Sequence, residues 1–249
     1  MIFKPGCYRW RLLEVDKTVS KDSLLRGDRD SLGRMCNLYT ERKSPAEVAD
    51  HFGIANPMET NAGGEVYPGT PGLVVRGEEG GRILQSMTWG FPLRLKGMSP
   101  TAKPKPVNNI ADLEKPMWKG LAAKPQWRCL IPLTGFAEAE GPKGAKTRTW
   151  FNVKGQPIFA WAGLWRVSDE WGPVYSGVMT GCNEAIRPVH DRMPVLLMPD
   201  DYDRWLRGNF EDALAFQNRC FPDELIEMIR TDELWVKRKV AAPEVASLL

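Results

Sequence analysis

Between residues 129 and 198 the chain runs through short apolar segments, each closed by Gly, Pro or polar residues. Residues 129–133, 150–153, 158–165, 174–180 and 195–198 are rich in β-branched and aromatic side chains. They are also too short for core helices, so they read as strands. Gly155 with Gln156, and Gly172 with Pro173, supply turns between them. This succession demands a largely antiparallel sheet and excludes a regular alternation of strand and helix.

The flanking segments fit the same class. Residues 35–40 read as a short strand. Ser44, Pro45 and Glu47 then make a helix start, with Ser at the N-cap, Pro at N1 and Glu at N3. That helix is expected to end near Phe52, with Gly53 as its stop. Residues 55–72 read as loop. Residues 73–76 and 82–89 read as a hairpin around 77–81. Residues 92–108, with four prolines, read as a long loop of the kind that often carries function. After Pro199 the pattern turns helical over 200–206, 211–218 and 222–229, and 235–240 reads as a last strand. Strands in the middle with helices towards the ends give an α+β fold.

Residues 1–34 are different. They are mixed in charge and have no sustained helical or strand period. They read as a disordered extension or as sequence upstream of the true start, with Met35 as the alternative initiator. Residues 35–249 form one domain in this reading. Eight Lys and Arg stand against five Asp and Glu in residues 1–34, which already accounts for the net charge of +3. The remaining body is therefore neutral. Binding to a polyanion must come from local basic patches. Arg94, Lys96, Lys103 and Lys105, with no acid among them, form one such stretch, which otherwise reads as a solvated loop.

Several classes are set aside. No run of about 18 apolar residues is present, so no membrane span is expected. Lys4 and Pro5 stand where a secretory signal would be apolar. The five cysteines, Cys7, Cys36, Cys129, Cys182 and Cys220, form no CxxC pair and read as free thiols of a reducing cytoplasm. The only histidines are His51 and His190, so no metal-ligand set is recognisable. No cofactor is expected.

A few residues remain for chemistry. His51 lies in the first helix beside Phe52 and reads as a partly buried helix residue. His190 lies in a loop between two apolar strands, flanked by Asp191 and Arg192, where an acid or base is well placed. Glu138 follows the strand at 129–133 and shares a face with Phe136 if the alternation continues. Burial there would raise its carboxyl pKa and suit it to proton transfer. The other reading is a solvated strand end. Cys36 gains meaning from Met35. If Met35 is removed, Cys36 carries a free amine beside its thiol. Such a 1,2-aminothiol condenses with an aldehyde to an imine and closes a thiazolidine ring. An α-amino group titrates near 7.7–8.0 against about 10.4 for lysine, so near neutrality it is roughly 250–500 times more often in its neutral, nucleophilic form.

These residues sit in an ordered series of blocks: Met35-Cys36-Asn37-Leu38-Tyr39, Trp89-Gly90, Asn108-Asn109-Ile110-Ala111-Asp112, Arg128-Cys129-Leu130-Ile131-Pro132, Gly135-Phe136-Ala137-Glu138, Ala162-Gly163-Leu164-Trp165 and His190-Asp191-Arg192-Met193-Pro194. Over residues 35–199 the series resembles the SOS response-associated peptidase (SRAP) family. The resemblance implies a curved, barrel-like, mainly antiparallel sheet with flanking helices. It implies a groove for single-stranded DNA containing abasic sites, and a thiazolidine crosslink from an N-terminal cysteine to the abasic aldehyde. Cys36 matches the crosslinking nucleophile and Asn109 the active-site Asn, with Asn108 the alternative register. Glu138 and His190 match the groups that move protons in Schiff-base formation, ring closure, β-elimination and reversal. The family name implies a peptidase, read as release of whatever precedes the cysteine. A cytoplasmic monomer, on the nucleoid when bound to DNA, is the corresponding expectation.

The departures from the family pattern are specific. Asn37 and Leu38 stand where Gly and Arg are usual. Ile110 or Ala111 stands where an Arg is usual. Ala137 and Ala139 replace a Tyr and a Trp around Glu138. The DNA grip must then use other groups, for which Trp89, Arg94, Arg128 and Arg192 are the candidates. Two other readings stay open: a thiol peptidase pairing Cys36 with His190, and a binding module for single-stranded DNA that forms no bond.

Overall fold

The computed structural model describes residues 36–55, 63–94, 97–99 and 101–236. The expected extension at 1–34, Met35, Lys96 and residues 237–240 of the expected last strand lie outside them.

The first sheet orders its strands β15-β10-β9-β1-β2. It is built from β1 (Leu38–Glu41), β2 (Gly64–Val66), β9 (Gly135–Glu140), β10 (Thr147–Val153) and β15 (Ile226–Leu234). The second is centred on β3 (Pro71–Glu78), β4 (Gly81–Trp89), β8 (Arg128–Leu133), β11 (Phe159–Ser168) and β12 (Gly172–Gly181). Successive pairings run β12-β4-β3-β8-β11, and β11 pairs again with β12. The five strands therefore close on themselves as a barrel-like sheet. Among the described residues only the contacts of β12 with β4 and with β7 (Asn109–Ile110) are parallel. The short strands β13 (Arg192–Pro194) and β14 (Leu196–Leu197) extend this sheet, and β5 (Phe91–Leu93) with β6 (Lys105–Val107) forms a separate ribbon. The fold is α+β and dominated by sheet, as the sequence pattern requires.

Strand alternation divides the core in two. Along β8, Cys129, Ile131 and Leu133 join a cluster with Tyr39, Phe136 and Phe151 of the first sheet. Leu130 faces the other way, into a cluster covered by helices. These helices are α1 (Pro45–His51), α2 (Pro116–Ala122), α3 (Tyr202–Arg207) and α4 (Phe210–Gln217). Both faces are covered, so β8 is apolar and buried at nearly every position rather than alternating.

The helix start at Ser44 is a capping box in the structure. Ser44 accepts from the Glu47 amide, and Glu47 accepts from the Ser44 amide at 2.9 Å. Gly53, at φ 67°, takes the left-handed turn after it. The hairpin is longer than expected. β3 and β4 pair down to Glu78 and Gly81, leaving only Glu79 and Gly80 between them. The expected loops at 55–72 and 92–108 contain β2, the start of β3, β5 and β6.

The expected helix over 222–229 is not formed. A single 3-10 turn at Asp223–Leu225 leads directly into β15, which pairs with β10 from Val153↔Ile226 to Thr147↔Leu234. Ile226–Leu234 is thus a strand where a helix was expected, and of the expected strand at 235–240 only Trp235 and Val236 are described, neither of them in a strand. The sheet edge offered by β10 outweighs the helix propensity of Glu224, Leu225, Glu227 and Met228. Cys36, Cys129 and Cys182 are free, buried thiols. Cys220 is disulfide-bonded, which departs from the expectation of free thiols throughout.

Arg128 is fully buried. Its guanidinium donates to the carbonyls of Ala122, Trp205, Gly208 and Asn209 at 2.8–3.1 Å. It thus ties the C-terminal ends of α2 and α3, where carbonyls lack helical partners, to the N-cap residue of α4. Arg128→Met should cost about 3 kcal/mol in a denaturant titration, because it strands several buried acceptors at once.

Glu41 closes β1 and is buried. Its Oε1 accepts from the Lys43 amide at 2.8 Å, while Oε2 has no partner. Burial pushes its carboxyl up to about 7. The folded chain therefore holds this proton more tightly than the unfolded chain. Stability from this group is full below about 4.5, falls as pH rises to about 7, and is flat above that. Melts at pH 5 and pH 7.5 should show wild type losing about 2 kcal/mol more than Glu41→Gln.

Candidate active site

Cys36 lies just before β1 and is buried among Tyr39, Phe136 and their neighbours. Two asparagines hold it. Asn109 donates through Nδ2 to the Cys36 carbonyl at 2.7 Å, and Asn108 donates to the same oxygen at 3.2 Å. Asn108 also donates to Asn37 Oδ1 at 3.0 Å. Both registers considered for the asparagine thus converge on one atom. Their own backbone is fixed from below. Gly177 and the Trp89 indole both donate to the Asn108 carbonyl, at 3.0 and 2.9 Å. Asn109 is buried, and its Oδ1 has no partner.

Glu138 projects from β9 on the same face as Phe136, as the alternation predicts. It is 4% exposed, and its Oε1 has no partner. Burial first, and the negative charge of Asp191 second, drive its carboxyl far above the usual carboxylate range, against a smaller opposing effect of Lys146. Burial therefore favours the protonated form of Glu138. Burial, with Glu138 as a second cause, also raises the Cys36 thiol, whose Sγ lies 3.6 Å from the Leu38 carbonyl. Leu38 pairs with Ala137 across β1 and β9, which sets Glu138 beside the start of β1, next to Cys36.

His190 ends a tightly wound loop. Asn183 is buried, accepts from the Ile186 and Arg187 amides and donates to the Phe221 carbonyl. The His190 amide donates to Ile186, and the Cys182 amide donates to Asp191. The imidazole Nδ1 lies 3.0 Å from the Arg192 amide, 3.1 Å from the Arg192 carbonyl and 3.3 Å from Asp191 Oδ1. A neutral Nδ1 accepts from the amide, and a protonated one donates to the carbonyl or the carboxylate. Nδ1 thus has one donor and two acceptors within reach. Arg192 Nη2 donates to the Ala111 carbonyl at 2.7 Å, stapling this loop to the segment that follows the asparagines.

Two of the expected DNA contacts are internal. Trp89 is fully buried and packs edge-to-face on Tyr39 and Trp161, with ring centroids 5.1 and 5.8 Å away. It is a strut beneath Asn108 and has no free face for a base. Arg128 is the helix-end clamp described above, with no surface to offer a phosphate. Arg94 is exposed on the β5–β6 ribbon, bound to Glu170 at 2.7 Å and to the Ala102 carbonyl at 3.0 Å. Arg192 borders the site. Asn37 and Asn183 were not singled out from sequence. The only signal for Asn183 was an Asn at the start of a turn-forming run. Among the described residues no group of three or more His, Cys, Asp or Glu is arranged to hold a metal ion, and no helix is long and apolar enough to cross a membrane.

The family model for the SOS response associated peptidase (SRAP) matches residues 35–236. The chain belongs to the SRAP family. Its match begins at the residue before Cys36 and includes every site residue above. SRAP relatives include two proteins of Bacillus subtilis (strain 168) named abasic site processing protein. YoqW is 28% identical over 211 residues, covering 78% of this chain and 90% of that protein. YobE is 26% identical over 231 residues, covering 85% and 98%. Solved structures share the fold. A Bordetella bronchiseptica protein matches with a TM-score of 0.65 at 21% identity, over 79% of this chain and 99% of that one. A Bacteroides thetaiotaomicron protein matches with a TM-score of 0.64 at 18% identity, over 78% and 91%.

Proposed function

We propose that this SRAP protein processes abasic sites in single-stranded DNA through a covalent thiazolidine formed on Cys36. The observation that carries this reading is the grouping of Asn108, Asn109 and Glu138 around Cys36. The asparagines hold the Cys36 carbonyl, which fixes the α-carbon and leaves the nitrogen and sulfur as the reacting atoms. The names of the Bacillus relatives supply the substrate.

The reaction needs Cys36 as residue one, reached by removal of Met35 or by cleavage of the bond before Cys36. The neutral α-amine adds to C1′ of the ring-opened deoxyribose. One amine proton passes to the carbonyl oxygen, Glu138 gives its proton to the resulting hydroxyl, which leaves as water, and the Glu138 carboxylate takes back the remaining N–H proton, so that a neutral imine remains. The thiol then adds across C=N: sulfur bonds to C1′ and the nitrogen gains a proton, closing the five-membered ring. His190 is the proton acceptor and donor that accompanies ring closure, its reversal and β-elimination of the 3′ phosphate. Arg192 and Arg94 are the proposed phosphate contacts. A site that favours the protonated forms of thiol and acid suits this order, with the amine attacking first. It is a poor thiolate–imidazolium pair, which counts against a thiol peptidase.

The test is direct. Protein beginning at Cys36 is mixed with single-stranded DNA containing an abasic site and run on a denaturing gel. A stable adduct is expected; its absence with wild-type protein sinks the reading.

A further inference from the structure

The ladder of β1 begins at Leu38, which pairs with Ala137, and the pairing with β2 begins one residue later, at Tyr39. Cys36 and Asn37 lie before the first rung. As residue one of a working chain, Cys36 has no preceding residue to hold it either, and chain ends fray unless they are tied down. Side-chain amides make the tie. Asn108 Nδ2 carries two hydrogens and uses both: one goes to the Cys36 carbonyl at 3.2 Å and the other to Asn37 Oδ1 at 3.0 Å. One amide therefore braces the Cys36–Asn37 peptide, from the carbonyl of the first residue to the side chain of the second.

The brace stands on firm ground at its far end. The Asn108 carbonyl accepts from the Gly177 amide at 3.0 Å and from the Trp89 indole at 2.9 Å, and the Val107 carbonyl accepts from the buried hydroxyl of Ser176. Asn109 is placed by the pairing of β7 with β12 at Gly177↔Asn109, and it donates to the same Cys36 oxygen at 2.7 Å. The backbone beneath the asparagines is thus fixed. The Asn108 carboxamide still turns about its own side-chain bonds, and that last torsion is a soft one. Asn37 Oδ1 opposes the turn. A flipped carboxamide would set its oxygen against two others, Asn37 Oδ1 and the Cys36 carbonyl. Without Asn37 the amide keeps only the longer of its two bonds.

We propose that Asn37 is a positioning residue for the reaction of Cys36: its side-chain oxygen orients the Asn108 amide, and through it sets where the Cys36 amine and thiol stand relative to Glu138. The inference rests on the function proposed above. Its test follows single-turnover adduct formation by protein beginning at Cys36, at saturating single-stranded DNA containing an abasic site. Affinity is read separately, on a strand with the unreactive tetrahydrofuran analogue. Asn37→Ala should slow the saturated rate about 10-fold, between the loss of one hydrogen bond and the roughly 10²-fold that a displacement of about 1 Å can cost. Affinity for the analogue strand should be unchanged. Asn37→Asp, which keeps an acceptor oxygen in the same place, should recover most of the rate. Asn37→Leu, with a similar shape and no acceptor, should not. Asn108→Ala removes the group through which Asn37 acts, so Asn37→Ala should slow that variant no further. A wild-type rate in both Asn37→Ala and Asn37→Leu would overturn the assignment alone. So would the same slowing by Asn37→Ala with and without Asn108, or weaker binding of the analogue strand at an unchanged saturated rate, which would make Asn37 a DNA contact. Absence of any adduct from wild type would overturn the proposed function, and the assignment with it.

Discussion

Replacing Cys36 with alanine should abolish the adduct that survives a denaturing gel, and acetylating the α-amine of wild-type protein should do the same. The two experiments remove different atoms of one ring. Alanine keeps the amine and removes the sulfur, so an imine forms but cannot close. Borohydride should still trap that imine in Cys36→Ala, because reduction needs only C=N. Acetylation keeps the thiol and removes the nucleophilic nitrogen, so neither imine nor ring should form. The α-amine is favoured over every lysine by its lower pKa, about 7.7–8.0 against about 10.4. The effect on the stable adduct is complete loss in both cases. A thiol peptidase would behave otherwise: acetylation would leave cleavage of a peptide substrate intact.

Glu138→Gln should slow adduct formation by about 10²- to 10⁴-fold, the usual contribution of a positioned acid. The substitution keeps the shape and removes the proton. Wild type needs a neutral α-amine, so its rate rises with pH towards about 8. It also needs Glu138 protonated, so the rate falls again once pH passes the carboxyl pKa, which burial and Asp191 hold far above its ordinary value. The profile of the wild-type rate is therefore bell-shaped. Glu138→Gln should be slow throughout and lack the alkaline limb. A single-turnover time course across pH reads both features, and an unchanged rate in the variant would remove Glu138 from the reaction. Binding to a single strand that carries a tetrahydrofuran analogue of the abasic site, which cannot react, should be unaffected, because the loss lies in proton transfer.

Much of this site was legible from residue types and their spacing. The capping box at Ser44 and the central strands followed from local pattern alone. The placement of Glu138 on the Phe136 face followed from strand alternation, and its burial supplied the raised pKa. The choice between Asn108 and Asn109 was open in the sequence, and the structure has both donating to the Cys36 carbonyl. Arg128 and Trp89 were misread because charge and aromaticity were taken as signs of DNA contact. Three of the four Arg128 acceptors lie 77–81 residues away, on helix ends that no local pattern connects to it. β15 was hidden for a similar reason. Its residues favour a helix, and only the edge of β10 makes them a strand.

The central claim is that the bond to DNA forms at Cys36 as the first residue of the working chain. Mass spectrometry of the crosslinked protein, after digestion of both protein and DNA, reads this directly. The predicted result is an N-terminal peptide beginning at Cys36 and carrying a deoxyribose linked through both nitrogen and sulfur. Deoxyribose on a lysine side chain, or a crosslinked protein that still begins at Met1, would contradict it.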